Sequence, residues 1–119
     1  MLHHVGIEVA PAEIEAAVGF FELIGFEQVE PPPTLSEFTW LERKGTQVHL
    51  MPVEAPAVPS PGHLAVVVVD FDGTVERLRE RGFEVEPKRE HWGEPRALAI
   101  APSGHRVELM AAPPITMPR

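Results

Sequence analysis

A chain of 119 residues with 44% hydrophobic and 24% charged side chains has the length and composition of one small soluble domain, or of two modules sharing a core. A formal charge of −8 argues against a nucleic-acid partner, which is held through clustered Lys and Arg, and the absence of cysteine removes disulfides, thiolate nucleophiles and Cys-ligated metal together. The longest apolar run, 64–69, is too short to span a bilayer, and MLHHVGIEV lacks the basic start and apolar stretch of a signal peptide, so a cytoplasmic protein without a membrane partner is expected.

In chain order, residues 4–9 alternate as a strand, with Val5, Ile7 and Val9 on the face that packs on a helix and His4, Gly6 and Glu8 on the other. Ile14, Ala17, Val18, Phe21 and Ile24 mark one face of a helix that stops at Gly25. FEQVE, SEFTWLER and TQVHLMP follow as strand-like stretches. A stiff connector with four prolines, PVEAPAVPSPG at 52–62, separates this module (1–51) from the next (63–112). There HLAVVVV at 63–69 reads as a strand, and Phe71, Val75 and Leu78 form a helical stripe. Asp70 or Asp72 is placed to cap that helix and Gly82 to end it. FEVEP, RALAIA and HRVELMA complete the second module, and the tail 113–119 is expected to be irregular.

The two modules are copies. GTQVHLM at 45–51 lies on GHRVELM at 104–110, and the same offset along the chain carries His4 onto His63. Each copy reads β-α-β-β-β, an α+β fold of two tandem modules. In the heptapeptides Val48 and Leu50, like Val107 and Leu109, take the helix face. His49 and Glu108 therefore project to the opposite side with Gln47, Met51, Arg106 and Met110 beside them. Four residues able to bind a divalent ion thus stand in two equivalent, equally spaced pairs, His4 with His49 and His63 with Glu108. Imidazole and carboxylate both donate a lone pair to a borderline metal, so a repeat can exchange one for the other.

Two β-α-β-β-β modules, HHV near the N-terminus, GHLAV opening the second module, HWGEPR and the turn PSGHRVEL together resemble the vicinal oxygen chelate superfamily, from Leu2 to about Met110. That group includes glyoxalase I, methylmalonyl-CoA epimerase, fosfomycin-resistance thiol transferases, extradiol dioxygenases and bleomycin-binding proteins. The resemblance implies curled mixed sheets around a metal-binding cup. His4, His49, His63 and Glu108 would hold one divalent ion per site (Zn, Ni, Mn, Co or Fe), and the protein would pair as a homodimer. His49 stands where glyoxalase I and the epimerase usually carry Glu or Gln, which bears on the reaction because that side chain or its neighbour moves a proton there. APSGHR likewise replaces the commoner DPDGN turn.

The expected activity is that of a glyoxalase-like lyase, isomerase or epimerase acting by metal-assisted proton transfer on a small oxygen-chelating substrate. Glu108 is the base and Glu8, equally suited to a salt bridge, the reserve. An Fe(II) dioxygenase of the same superfamily and a metal-free, bleomycin-resistance-like binding protein are the alternatives. Trp40, Gln47 and Met51 are candidates to line the substrate pocket, as are His91 and Trp92 in a loop that the resemblance places over the cup. Arg96 and Arg106 suit an anion contact. His3 is assigned to the rim, and His105, after Gly104, to a solvated turn.

Overall fold

The computed structural model describes residues 1–119. The first half runs β1 (His4–Val9), α1 (Ile14–Leu23), β2 (Glu27–Val29), β3 (Thr39–Arg43) and β4 (Thr46–Pro52). The second runs β5 (Leu64–Val67), α2 (Phe71–Glu80), β6 (Val85–Lys88), β7 (Arg96–Ile100) and β8 (Arg106–Met110). The sheets have the orders β1-β4-β3-β2 and β5-β8-β7-β6. In each, first and last strands pair parallel and the other neighbours antiparallel. Both are open mixed sheets, and the architecture is the expected α+β pair of tandem modules.

The register carries the repeat down to single residues. Gly6 lies opposite His49 and Ala65 opposite Glu108, so the offset that relates the two sequences also relates their parallel strand pairings, whereas the antiparallel partners shift by one residue, Trp40 opposite His49 but Leu98 opposite Glu108. Chain contacts divide the protein into a unit of 1–58 with 101–104 and a unit of 59–100 with 105–119.

In the first unit the apolar face of the sheet and one side of α1 bury Val9, Ala17, Phe20, Phe21, Ile24, Leu41, Val48 and Leu50. Phe20 falls outside the stripe read from the sequence, yet it is fully buried and meets Phe21 edge to face at 5.2 Å. The helix ends where Gly25 takes φ +100°, a conformation that residues bearing a Cβ resist. Residues 101–104 close onto this unit through Ser103, whose hydroxyl donates to Glu13 Oε2 (2.6 Å) and accepts from the Ala10 N–H (3.0 Å).

In the second unit Val66, Val68, Val75, Leu78, Val85, Ala97, Ala99, Val107 and Leu109 form the core. Asp70 caps α2 by accepting from the Gly73 N–H, and Gly82 ends the following turn at φ +86°. β5 is shorter than the expected 63–69: it starts after His63 and stops at Val67, and Val69 is 90% exposed. No helix is long and apolar enough to cross a membrane.

Candidate functional site

The polar residues singled out from the sequence fall into two clusters, one on each sheet. In the first unit His49 lies on β4 between β1 and β3 and is flanked by a ring from each neighbour. Trp40, its direct cross-strand partner, stacks on it at 4.0 Å and 2° from parallel. From β1, His4 stacks on the other side at 4.0 Å and 15°. Beyond that column His3 Nδ1 lies 3.0 Å from His4 Nδ1.

A hydrogen-bond chain fixes the His49 tautomer. The Glu42 carboxylate can only accept, so Gln47 must turn its amide nitrogen toward it (2.9 Å). That leaves the Gln47 oxygen to accept from His49 Nε2–H at 2.8 Å. The free lone pair of His49 is therefore on Nδ1. Burial first, and then the neighbouring His4 and His3, lower the pKa of His49, so the ring is neutral at pH 7.

Rings 15° from parallel carry their in-plane lone pairs in nearly parallel planes. As it stands, this His4–His49 pair is arranged for stacking, and joint ligation of one ion requires the exposed His4 ring to turn. Met51 lies against Gly6, where a Cβ would come within 3.2 Å of its methyl group. Glu8 accepts from the Ala57 N–H at 2.9 Å, which commits one of its oxygens to holding the connector.

The second unit is organised around Glu108, only 8% exposed. From β7, Arg96 donates through Nε to Glu108 Oε2 at 2.8 Å and through Nη1 to the Arg89 carbonyl at 2.8 Å. Glu108 Oε1 faces His63 Nε2 at 3.3 Å. His63 in turn donates from Nδ1 to the Pro61 carbonyl at 3.0 Å, since a carbonyl can only accept.

In a neutral His63 ring, that bond leaves Nε2 as an unprotonated acceptor pointing at a carboxylate oxygen. Two lone pairs face each other and need a cation between them, either a proton or a metal ion. Two metal bonds of about 2.1 Å at a tetrahedral angle place their donors about 3.4 Å apart, and the pair stands 3.3 Å apart. The His63–Glu108 pair therefore fits a divalent ion as found. Within neither unit are three or more His, Asp or Glu side chains gathered around one point.

The remaining sequence candidates separate by role. Arg106 lines the same small cavity as His63, Arg96 and Glu108. Trp92 donates its indole N–H to the Ala112 carbonyl at 3.1 Å, which ties its loop to the chain after β8, and His91 is exposed. His105 corrects the sequence reading: it is 5% exposed and not solvated. It stands one residue before β8, in alternation with the buried Val107 and Leu109, so that spacing outweighs its place beside the turn.

Solved structures of similar fold span nearly all of this chain. A Bacillus anthracis protein assigned to the glyoxalase family superposes with a TM-score of 0.82 at 24% identity, covering 92% of this chain and 93% of its own. Oxidase ChaP-H2 gives 0.76 at 21% identity over 96% and 94%. TnmS3, an antibiotic binding protein from Streptomyces sp. CB03234, gives 0.68 at 22% over 92% and 93%. At these identities the likeness shows the fold alone, and a search of curated protein sequences found no match. The profile of one family, however, matches residues 1–109, and with the paired modules it shows that the chain belongs to the Glyoxalase/Bleomycin resistance protein/Dioxygenase superfamily.

Proposed function

We propose that the protein is a metal-dependent enzyme of glyoxalase type that moves a proton on a small oxygen-chelating substrate. One observation carries the reading: His63 Nε2 and Glu108 Oε1 face each other at 3.3 Å while Nδ1 of that ring is committed to the Pro61 carbonyl. The proposed ligand set is His63 and Glu108, with His4 and His49 as the further pair that the family resemblance implies. A bound Zn, Ni, Mn, Co or Fe ion would draw electron density from adjacent substrate oxygens and make a neighbouring C–H acidic.

Within this reading Arg96 is a positioning residue. Its grip on Oε2 would hold the Glu108 carboxylate in one rotamer, so that Oε1, which faces His63, could accept the proton once it loosens from the ion as substrate enters. Gln47 acts in the same way on His49, keeping Nδ1 as its donor atom. We also propose a homodimer, because each open sheet leaves edge strands that need cover; a monomer by light scattering at micromolar concentration contradicts that part.

A non-enzymatic binding module is the second reading. It is favoured by the Trp40–His49–His4 column, whose rings are engaged with one another. Solvent-deuterium exchange separates the two. The metal-loaded protein is incubated in D2O with a 2-hydroxy-ketone, a hemithioacetal and a 2-methyl thioester. Deuterium at the carbon beside the chelating oxygens, lost in Glu108→Gln, supports proton transfer; no incorporation in any of the three contradicts it and leaves the binding module standing.

A further inference from the structure

Position 106 is one of the places where the two copies of the repeat diverge in chemistry. Its counterpart in the first copy is Gln47, which is satisfied within its own sheet between Glu42 and His49. The cross-strand partner of Gln47 is Glu42, whereas that of Arg106 is Ile100. An apolar residue thus stands where a carboxylate would pair the guanidinium, and the Arg106 side chain has no ion pair or hydrogen bond. Glu108, one strand step from it on the same face, is already held by Arg96 and faces His63.

Arg106 opens onto a cavity of about 170 Å³ bounded by His63, Lys88, Arg96, Leu98 and Glu108. Lys88 reaches it from β6, and its only ion pair is with Glu86, which is 66% exposed, at 3.3 Å. An exposed pair of this kind is readily given up for a better-desolvated partner. Three cations therefore surround one carboxylate, in a chain whose formal charge is −8. An unpaired guanidinium with five donors in a planar fork, set in a concave site of net positive charge, calls for an oxyanion.

We propose that this cleft seats the anionic group of the substrate: a compact carboxylate or phosphate gripped by Arg106, with Lys88 as a second cation. The proposal rests on the reading of His63 and Glu108 as the reacting end. It makes the substrate a small oxyanion whose charged group sits two strand residues, on the order of 7 Å, from the Glu108 position. The volume admits about six water-sized groups, which suits a compact carboxylate or phosphate head group. Arg106 is then a specificity-determining residue, and Arg96, with two of its donors already used, remains the residue that positions Glu108.

The test is calorimetric titration of chelator-treated protein at low ionic strength with inorganic phosphate, with malonate, and with neutral dimethyl malonate. Wild type is expected to bind at least one of the two anions and not the neutral ester. Arg106→Gln, which installs the residue of the first copy, should weaken that binding about tenfold or more; Lys88→Gln should weaken it several-fold, and Arg106→Lys should restore part of it. When metal is added back, Arg106→Gln should take up as much as wild type. Absence of anion binding in wild type, or unchanged affinity in Arg106→Gln, overturns the proposal. Failure of wild type to take up added metal, with the anion titration intact, overturns the metal reading alone, so the two failures are distinguishable.

Discussion

Replacing Arg96 with Met keeps the aliphatic stem of the side chain and removes the charge that holds Glu108. The two side chains are 19% and 10% exposed and meet through a single Nε–Oε2 bond of 2.8 Å. Exposed ion pairs contribute at most about 1 kcal/mol, and stranding one member of a fully buried pair costs about 3–5 kcal/mol. This pair lies between those limits: the carboxylate is buried, but the contact is not bidentate, His63 faces the other oxygen, and the cavity admits water. The expected loss is about 2 kcal/mol, which for a chain of this size lowers Tm by roughly 6–10 °C.

Urea titration in chelator-containing buffer at pH 7 measures the loss. Glu108→Gln and the double variant Arg96→Met/Glu108→Gln close the cycle. Because the double variant strands no charge, it should recover at least half of what Arg96→Met loses, a coupling of about 1 kcal/mol or more. Independent sites add to within about 0.5 kcal/mol. A single variant that close to wild type, together with additive behaviour in the double, would refute the claim that Arg96 holds a desolvated carboxylate in place.

Two further predictions concern the first unit. His49 has a lowered pKa in the folded state, so the unfolded chain binds its proton more readily. Its contribution to stability is complete above the ordinary value of 6.5 and is lost as pH falls toward the lowered folded value; urea midpoints of the metal-free protein between about pH 5 and 7.5 should show a decline that is shallower in His49→Gln, and identical slopes contradict the assignment. Gly25→Ala and Gly45→Ala both place a side chain at positive φ, but only the first brings its Cβ to 2.9 Å from a neighbour, Arg43 Nε. Both should lose about 1–2 kcal/mol, Gly25→Ala the more, and a chemical-denaturation midpoint no lower in Gly25→Ala than in Gly45→Ala contradicts the account of that turn.

The repeat was readable because its parts are set by local periodicity. A strand alternates with period 2, so the constant offset that aligned GTQVHLM with GHRVELM also fixed which side chains share a face. The structure keeps that register down to Gly6 opposite His49 and Ala65 opposite Glu108. Cross-strand partners were not readable, since they depend on how β7 and β3 align with their neighbours. Thus Arg96 appeared in the sequence as an anion contact and not as the holder of Glu108, and nothing in the linear chain joined Glu42, Gln47 and His49 into one chain of hydrogen bonds. For His105 two local signals conflict, the turn beside it and its even spacing with Val107 and Leu109, and the spacing prevails, since the ring is buried. Phe20 escaped the helical stripe because α1 is apolar over more than one face.

The central claim is that the cation between His63 and Glu108 is a metal ion and not a shared proton. Equilibrium dialysis of chelator-treated protein against Zn, Ni, Mn, Co and Fe(II), with bound metal read by elemental analysis, tests it most directly. For at least one of these metals, wild type should bind one ion per site. His63→Ala and Glu108→Ala should each lower the affinity by about a hundredfold or more, because no neighbour can remake a bond of about 2.1 Å. Equal occupancy in wild type and both variants, or no binding of any of the five metals by wild type, would contradict the account.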